Sequence, residues 1–421
     1  MNQITLEQPG KYSRTETCCR SCGGGSLKPF LDLGSTPLAD RLLTPEMLQE
    51  EELTFPLVVA FCEDCSLVQI LETVSPNILF ADAYPYYSSF SPALMEHSRA
   101  NALARMKEGN LGPESLVIEL ASNDGYLLRN YLEHGIPVLG IDPADGPADA
   151  ARKIGVQTVC GFFTEELADD LVDAHGKADV VHGNNVLAHV ADTNGFVSGI
   201  GKILKDDGVA VIEMPYLLPL IEHVEFDTIY HEHLCYFSLT ALHKLFRRHG
   251  LYLNRVEQLS IHGGSLRIFV EKKEDVGESV SAMLANESHI GLDKPEFFAE
   301  FSARVEELRT KLLAMIAELK EAGHSIAAYG AAAKGATMLN FCGLDTSQID
   351  FVVDRNVNKQ GKFMPGAHLP ILPPEALVER QPDFVLMLAW NFADEIIAQQ
   401  REYLEAGGQF IVPVPEPRIV K

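Results

Sequence analysis

The sequence predicts an α/β protein with several cores: a small cysteine-bearing lobe, a doubly wound parallel sheet and a second α/β unit. Three observations carry this. The 421 residues exceed what one ordinary core holds. From Leu116 onward strand-like and helix-like segments alternate, the pattern of a parallel sheet covered on both faces. Five of the eight cysteines, Cys18, Cys19, Cys22, Cys62 and Cys65, crowd the first 65 positions.

Composition narrows the class. A hydrophobic share of 46% and a charged share of 22% are those of a soluble globular protein. No run of eighteen apolar residues occurs and Met1 to Arg14 is polar, so a cytoplasmic protein without a membrane partner is expected. A formal net charge of -25 opposes a nucleic-acid partner. An anionic ligand would need helix N-termini or a few placed cations to overcome that field.

In chain order, Cys19-Arg-Ser-Cys22 and Cys62-Glu-Asp-Cys65 form two C-x2-C knuckles. Four thiolates match the tetrahedral preference of zinc and leave no open position, so a structural Zn2+ is expected rather than reduced, unliganded cysteines. Pro37 and Pro56 are read as turns within this lobe. Tyr84, Tyr86 and Tyr87 then make a dense aromatic segment, either a packed connector or a wall over a ligand. Ser91-Pro92 reads as a helix start, with a serine cap and proline at the first position.

The next unit runs from a buried strand, Leu116 to Leu120, through the turn Ala121-Ser-Asn-Asp-Gly125 to a helix ending near Leu132. A second strand, Val138 to Asp142, ends in an acid. Strand, glycine-containing turn, helix, strand and acid is how a doubly wound sheet holds an adenosine, with the acid on the ribose hydroxyls. Glu119, Ala121, Asn123, Gly125 and Asp142 are the candidate contacts. Gly125 stands alone where a dinucleotide fingerprint has three glycines, which turns the cofactor from NAD toward S-adenosylmethionine. Phe162 and Phe163 are placed to cover an adenine. Asn185 and His189 follow the strand Ala178 to His182 at the end where such sheets bind ligands, although a capping asparagine and a buried histidine fit the same pattern.

The densest stretch is Thr228 to Phe237, which holds Tyr230, His231, Glu232 and His233 just after a strand ending in Glu213. It is either a solvated polar loop or a proton-handling edge. Further on, Phe301, Val305, Leu308, Leu312 and Leu319 keep helical spacing up to Gly323. The strand Ser325 to Tyr329 then leads into Gly330-Ala-Ala-Ala-Lys334, and Ile349 to Asp354 and Phe384 to Ala389 read as further strands. Small residues and a lysine at a helix start can hold phosphate.

Taken together, the four-cysteine lobe, Glu119-Leu-Ala-Ser-Asn-Asp-Gly125, Asn185-Val-Leu-Ala-His189, Tyr230-His-Glu-His233, Tyr329-Gly-Ala-Ala-Ala-Lys334 and Lys359-Gln-Gly-Lys-Phe-Met-Pro-Gly366 resemble one family across nearly the whole chain. It is the S-adenosylmethionine-dependent C-methyltransferases of nucleotide-linked keto-deoxysugars. The resemblance implies a zinc-binding lobe over 1–75, a central class I (Rossmann-like) methyltransferase domain over 76–298, and a second Rossmann-like domain over 299–421 that helps hold a nucleotide-diphosphate 4-keto-deoxysugar. It also implies proton-handling roles for Tyr84, His189, Tyr230, Glu232 and His233, with His233 favoured as base over His231. Tyr86, His231, Lys334 and Lys359 fall on the substrate side. The expected reaction is methyl transfer to a carbon, C3, beside the ketone. An O- or N-methyltransferase on a small hydroxylated acceptor, or a non-catalytic sugar-nucleotide-binding protein, are the alternatives.

Overall fold

In the N-terminal lobe, period-two burial sends Leu57, Val59 and Phe61 of the strand Thr54–Cys62 into one apolar cluster and Val58 and Ala60 into another, so both faces of this strand are covered. The structure, a computed structural model, describes residues 12–79 and 87–421, and the expected site residues Tyr84 and Tyr86 lie outside these. Thr54–Cys62 pairs antiparallel with Leu27–Pro37 on one side and Val68–Ile70 on the other. Pro56 is not in a turn as the sequence suggested; it stands inside the strand opposite Ser35. Proline is tolerated there because Val68–Ile70 covers only Val59 to Phe61, which leaves Pro56 on a locally free edge. Its carbonyl accepts a hydrogen bond from His231 at 3.2 Å.

A distant segment completes this sheet. Cys235–Tyr236, two residues beyond His233, pairs with Gln69 and Val68 as the edge strand. The dense stretch is therefore a part of the cysteine lobe's sheet as well as of the central domain.

The central sheet has seven strands in the order Thr158–Cys160, Val138–Asp142, Val117–Leu120, Ala178–Asn184, Leu204–Pro215, Ser265–Glu271, Tyr252–Leu259. The first five run parallel, while Ser265–Glu271 is antiparallel to both of its neighbours. The order reverses between Val117–Leu120 and Ala178–Asn184, and ligands of such sheets bind outside the strand ends at that crevice. The helix Pro92–Glu108 begins as expected, with the Ser91 hydroxyl accepting from the Leu94 N–H at 3.3 Å and proline in the first turn. It is tied to the sheet by Glu213, whose carboxylate meets His97 at 2.7 Å, Arg267 at 2.7 Å and Asn101 at 3.2 Å.

The long helix Pro295–Glu321 buries Phe298, Phe301, Val305, Leu308, Leu312 and Ile316, one stripe at steps of three and four. It leads into a six-stranded sheet ordered Ile371–Leu372, Val352–Val353, Ile326–Tyr329, Phe384–Met387, Gln409–Val412, Arg418–Val420, parallel except for the last strand. Its reversal point lies between Ile326–Tyr329 and Phe384–Met387. The helix Ala333–Cys342 packs back on the central domain: Phe341 meets Phe226 at 5.2 Å between ring centroids, and the Thr337 hydroxyl donates to the Ile229 carbonyl at 3.2 Å. No helix among the described residues is long and apolar enough to cross a membrane.

Candidate active site

The four thiols Cys19, Cys22, Cys62 and Cys65 converge, all their sulfurs lying within 4.8 Å of one another. The Cys19 to Cys65 and Cys22 to Cys62 separations are 3.5 and 3.6 Å. Zinc-thiolate bonds of about 2.3 Å in a tetrahedron put sulfurs roughly 3.8 Å apart, so the donor set fits a closed, structural Zn2+. The knuckle is also bolted to the central domain. Asn194 donates to the Arg20 carbonyl at 2.8 Å, and Arg248 donates to that of Ser21 at 2.9 Å.

At the reversal point of the central sheet, Ala121, Asn123, Gly125 and Asn185 all have positive φ. Three of them are not glycine, a concentration of backbone strain that folded proteins keep for ligand sites. Gly125 serves packing as much as the turn, since a Cβ there would meet Val156 at 3.1 Å and Ala151 at 3.3 Å. Asp142 fixes the turn by accepting from the Asn123 N–H at 2.8 Å and the Ala144 N–H at 2.9 Å. Glu119 is fully buried, with Tyr126 beside its carboxyl and acceptor capacity left over. Burial, then the charges of Asp142 and Asp124, pushes its carboxyl well up. Asp124 and Asn184 likewise each leave a buried oxygen unpartnered. Unsatisfied buried acceptors at a reversal point are what a hydroxyl- and amine-bearing cofactor would satisfy, so these residues fit S-adenosylmethionine.

From Tyr87 onward the chain lies on this turn. The Ser88 and Ser89 N–H groups donate to the side chains of Asn123 and Asp124 at 2.8 and 3.1 Å. Tyr87 stacks on Phe90 at 5.4 Å and lies so close over Gly146 that a Cβ there would meet its hydroxyl at 2.9 Å. The expected pair Phe162 and Phe163 divides. Phe163 turns inward against Phe196, and Phe162 stays exposed.

Tyr230 to His233 gathers beside His189. The His189 and His233 rings are 4.8 Å apart, and Tyr230 lies 4.1 Å from His233 between ring centroids. Backbone pairing explains the meeting, because the Leu234 N–H donates to the Ala188 carbonyl at 2.8 Å. His233 Nδ1 donates to the Thr228 carbonyl at 2.9 Å, which assigns the proton to Nδ1 and leaves Nε2 to accept from the Tyr230 hydroxyl at 3.1 Å. Burial, His189 and Lys334 bring the His233 pKa down to about 3, and burial brings His189 down to about 4. Both are neutral imidazoles at working pH. His189 is nevertheless open to solvent.

His231 points elsewhere, bonding Pro56 and meeting Phe55 edge-on at 5.8 Å. It braces the stretch against the cysteine lobe and makes no contact with the other two imidazoles in the contacts described. Burial, then the neighbouring charge of Asp40, raises Glu232 to about 8, so it is a carboxylic acid at neutral pH. Asp40, from the cysteine lobe, was not singled out in the sequence; it is near enough to Glu232 and to Lys359 to interact electrostatically with both. Lys359 donates to the Ala331 carbonyl at 2.6 Å. Lys334 stands over the indole of Trp390 at 4.6 Å, and the indole N–H donates to Asp227 at 2.6 Å. Trp390 and Asp227 escaped the sequence reading because they meet across 163 positions, which no local spacing signals.

Comparison with known proteins places these parts. A zinc binding domain model matches residues 19–80, a methyltransferase domain model residues 90–256, and a C-methyltransferase C-terminal domain model residues 260–415. The chain is 38% identical over 405 residues to C-methyltransferase NovU of Streptomyces niveus, covering 96% of each. It is 27% identical over 97 residues to the ubiquinone biosynthesis O-methyltransferase of Bartonella quintana (strain Toulouse), covering 23% of this chain and 39% of that one. Among solved structures, magnesium protoporphyrin IX methyltransferase of Synechocystis PCC 6803 with bound SAH aligns with 42% of this chain and 83% of its own at 18% identity and a TM-score of 0.34.

Proposed function

The chain belongs to the S-adenosylmethionine-dependent C-methyltransferase family, and we propose that its acceptor is a nucleotide-diphosphate 4-keto-deoxysugar, methylated at C3 beside the ketone. The observation that carries this reading is the placement of His233: a neutral imidazole packed 4.8 Å from His189, which follows a strand at the reversal point of the central sheet, and near enough to Lys334 of the C-terminal domain to feel its charge. A carbon beside a ketone is acidic enough to lose a proton to an aligned base, whereas a hydroxyl acceptor needs no such neighbour for charge.

In this reading Asp142 and Glu119 hold the adenosine, and Tyr87 with Phe162 covers it. S-adenosylmethionine, when bound, supplies an electrophilic methyl group. His233 Nε2 takes the C3 proton. The Thr228 carbonyl on Nδ1 keeps the tautomer, and the Tyr230 hydroxyl keeps the ring in line until substrate takes its place. Glu232, protonated at neutral pH, donates to a sugar oxygen. The nucleotide lies along the C-terminal sheet, with Asp354 on the ribose and Lys359 near the diphosphate. His231 supports this wall from behind.

The test is methyl transfer from labelled S-adenosylmethionine to thymidine, guanosine and cytidine diphosphate 4-keto-6-deoxysugars, with the product linkage read by NMR. A new carbon-bound methyl group beside the ketone is expected. An oxygen-bound methyl group, or binding of both ligands without transfer, contradicts the reading.

A further inference from the structure

Removing a proton beside a ketone needs a second partner, for the negative charge that develops on the carbonyl oxygen. Of the groups beside the base, Glu232 goes to a sugar oxygen in the keto-sugar reading, Tyr236 stands farther off at 6.3 Å between ring centroids, and Tyr230 and His189 are already committed. The Tyr230 hydroxyl is turned to His233 Nε2. His189 is neutral, and its one N–H faces the backbone carbonyl of Glu232, so its other nitrogen can only accept. Neither is free to donate to an oxyanion while the base is held in place.

Lys334 is different. It stands at the start of the helix Ala333–Cys342, where unsatisfied N–H groups add partial positive charge, and that helix is locked on the catalytic stretch by Thr337 and Phe341. Its ammonium lies on the face of Trp390, whose N–H is fixed by the fully buried Asp227. Backbone N–H groups of its own turn, at Asp227 and Thr228, hold the Asp227 carboxylate as well. The same short turn that carries Asp227 carries Thr228, the residue that fixes the His233 tautomer. The base and this cation are thus set by adjacent residues. Glu225 and Asp227 both lie close enough to Lys334 to feel its charge, and they supply the counter-charge a cation in a desolvated cleft requires. A diphosphate would be repelled by those two carboxylates, whereas Lys359 sits by the turn at Ala331, away from them in the contacts described.

We propose that Lys334 is a catalytic residue that takes up the charge on the acceptor's carbonyl oxygen, and that Asp227 and Trp390 are its positioning residues. The proposal rests on the keto-sugar reading above. The C3 proton passes to His233 Nε2. The C–H electron pair forms the C3–C4 double bond, and the carbonyl π pair moves to oxygen, where a Lys334 N–H meets it without proton transfer. The imidazolium returns its proton to solvent after turnover.

The experiment uses the zinc-loaded, full-length protein and its Lys334→Met, Lys334→Arg and Asp227→Asn variants. Exchange of solvent deuterium into C3 of the keto-sugar is followed by NMR, and affinity for the nucleoside diphosphate alone is measured by calorimetry. Losing an oxyanion donor costs about 10^2 to 10^3 in rate, so Lys334→Met should slow exchange at saturating substrate by about that factor with nucleoside diphosphate affinity kept. Lys334→Arg should keep part of the rate, and Asp227→Asn should fall between it and the wild type. Removing the Lys334 charge should also move the acid limb of the residual rate to higher pH, because Lys334 joins burial and His189 in disfavouring the His233 imidazolium, with Tyr230, Tyr236 and Glu232 the other titratable neighbours. Exchange retained by Lys334→Met, or a tenfold loss of nucleoside diphosphate affinity with exchange intact, overturns the proposal. A wild type that methylates a substrate without any exchange overturns the keto-sugar reading instead, and Lys334 as electrophile with it.

Discussion

In the central sheet, Asp142 accepts from Asn123 at 2.8 Å and from Ala144 at 2.9 Å; in the C-terminal sheet, Asp354 accepts from Ala331 at 2.8 Å and from Asn356 at 2.8 Å. Each aspartate ends the second strand of its unit, reaches back to the turn after the first strand, and caps its own following turn. The backbones are alike and the side chains are not. Around Asn123 stand Glu119, Asp124 and Asp142, all carboxyl groups close enough to influence one another. At Ala331 stands Lys359, while Lys334 of the following helix turns to Trp390. An acidic turn suits a ligand that carries a sulfonium and an amino group, and a lysine-bearing turn suits a diphosphate. One folding device thus serves two ligands of opposite charge, and in a chain of net charge -25 the second needs its cations placed individually.

The comparison can be broken most severely from outside both turns. Removing zinc touches neither aspartate, yet the strand Cys235–Tyr236 pairs with Val68 and Gln69, three and four residues beyond the metal ligand Cys65. Structural zinc contributes on the order of 10 kcal/mol in small zinc peptides, so a chelated protein should lose the wall that carries His233 and with it all turnover. Hydrogen exchange should quicken first at Ile70 and Leu234, while the central sheet keeps its protection. Uniform loss of protection would mean that the lobe is not a separate support.

His233→Asn comes next. It removes the proposed base and should lower turnover by about 10^2 to 10^4, with affinity for both ligands unchanged. A drop in either affinity would merge the chemistry with one of the binding turns. The smallest effect concerns pH. Burial and His189 keep His233 unprotonated down to about 3, so no acid limb from this group is expected above pH 5. Glu232, raised to about 8 by burial and then by Asp40, donates only while protonated, so turnover should decline as pH rises through that value. Glu232→Gln keeps a donor and should flatten the decline, with less than about a tenfold change at pH 7. A wild-type profile level to pH 9.5 would remove the donor role.

How legible this was depended on distance along the chain. The zinc ligands, the turn at Asn123 with Asp142, and the stripe from Phe301 to Ile316 are spelled by short spacings that local backbone geometry enforces. The closeness of His189 to His233 is not local, and it follows from one backbone bond between Leu234 and Ala188. Spacing alone does not tell His231 from His233; only the resemblance favours the second as base. They separate because the stretch turns, the His233 N–H closing on the Tyr230 carbonyl at 2.9 Å, which sends one ring toward Pro56 and the other back onto Tyr230. Pro56 misled because proline usually marks a turn, and only the short reach of the neighbouring strand leaves room for it inside a sheet. Asp40, Asp227 and Trp390 had no signature at all, since each matters only through a partner on another domain.

The division of ligands between the two turns is tested most directly by titrating Asp142→Asn and Asp354→Asn with S-adenosylmethionine and with the nucleoside diphosphate in a calorimeter. Hydrogen bonds to a charged group contribute about 1.5 to 3 kcal/mol each, so each variant should lose roughly 10- to 100-fold in affinity for one ligand. The expected pattern is crossed: Asp142→Asn weakens S-adenosylmethionine alone, and Asp354→Asn weakens the nucleoside diphosphate alone. If Asp354→Asn leaves the nucleoside diphosphate untouched, or both variants weaken the same ligand, the two turns do not divide the ligands as described.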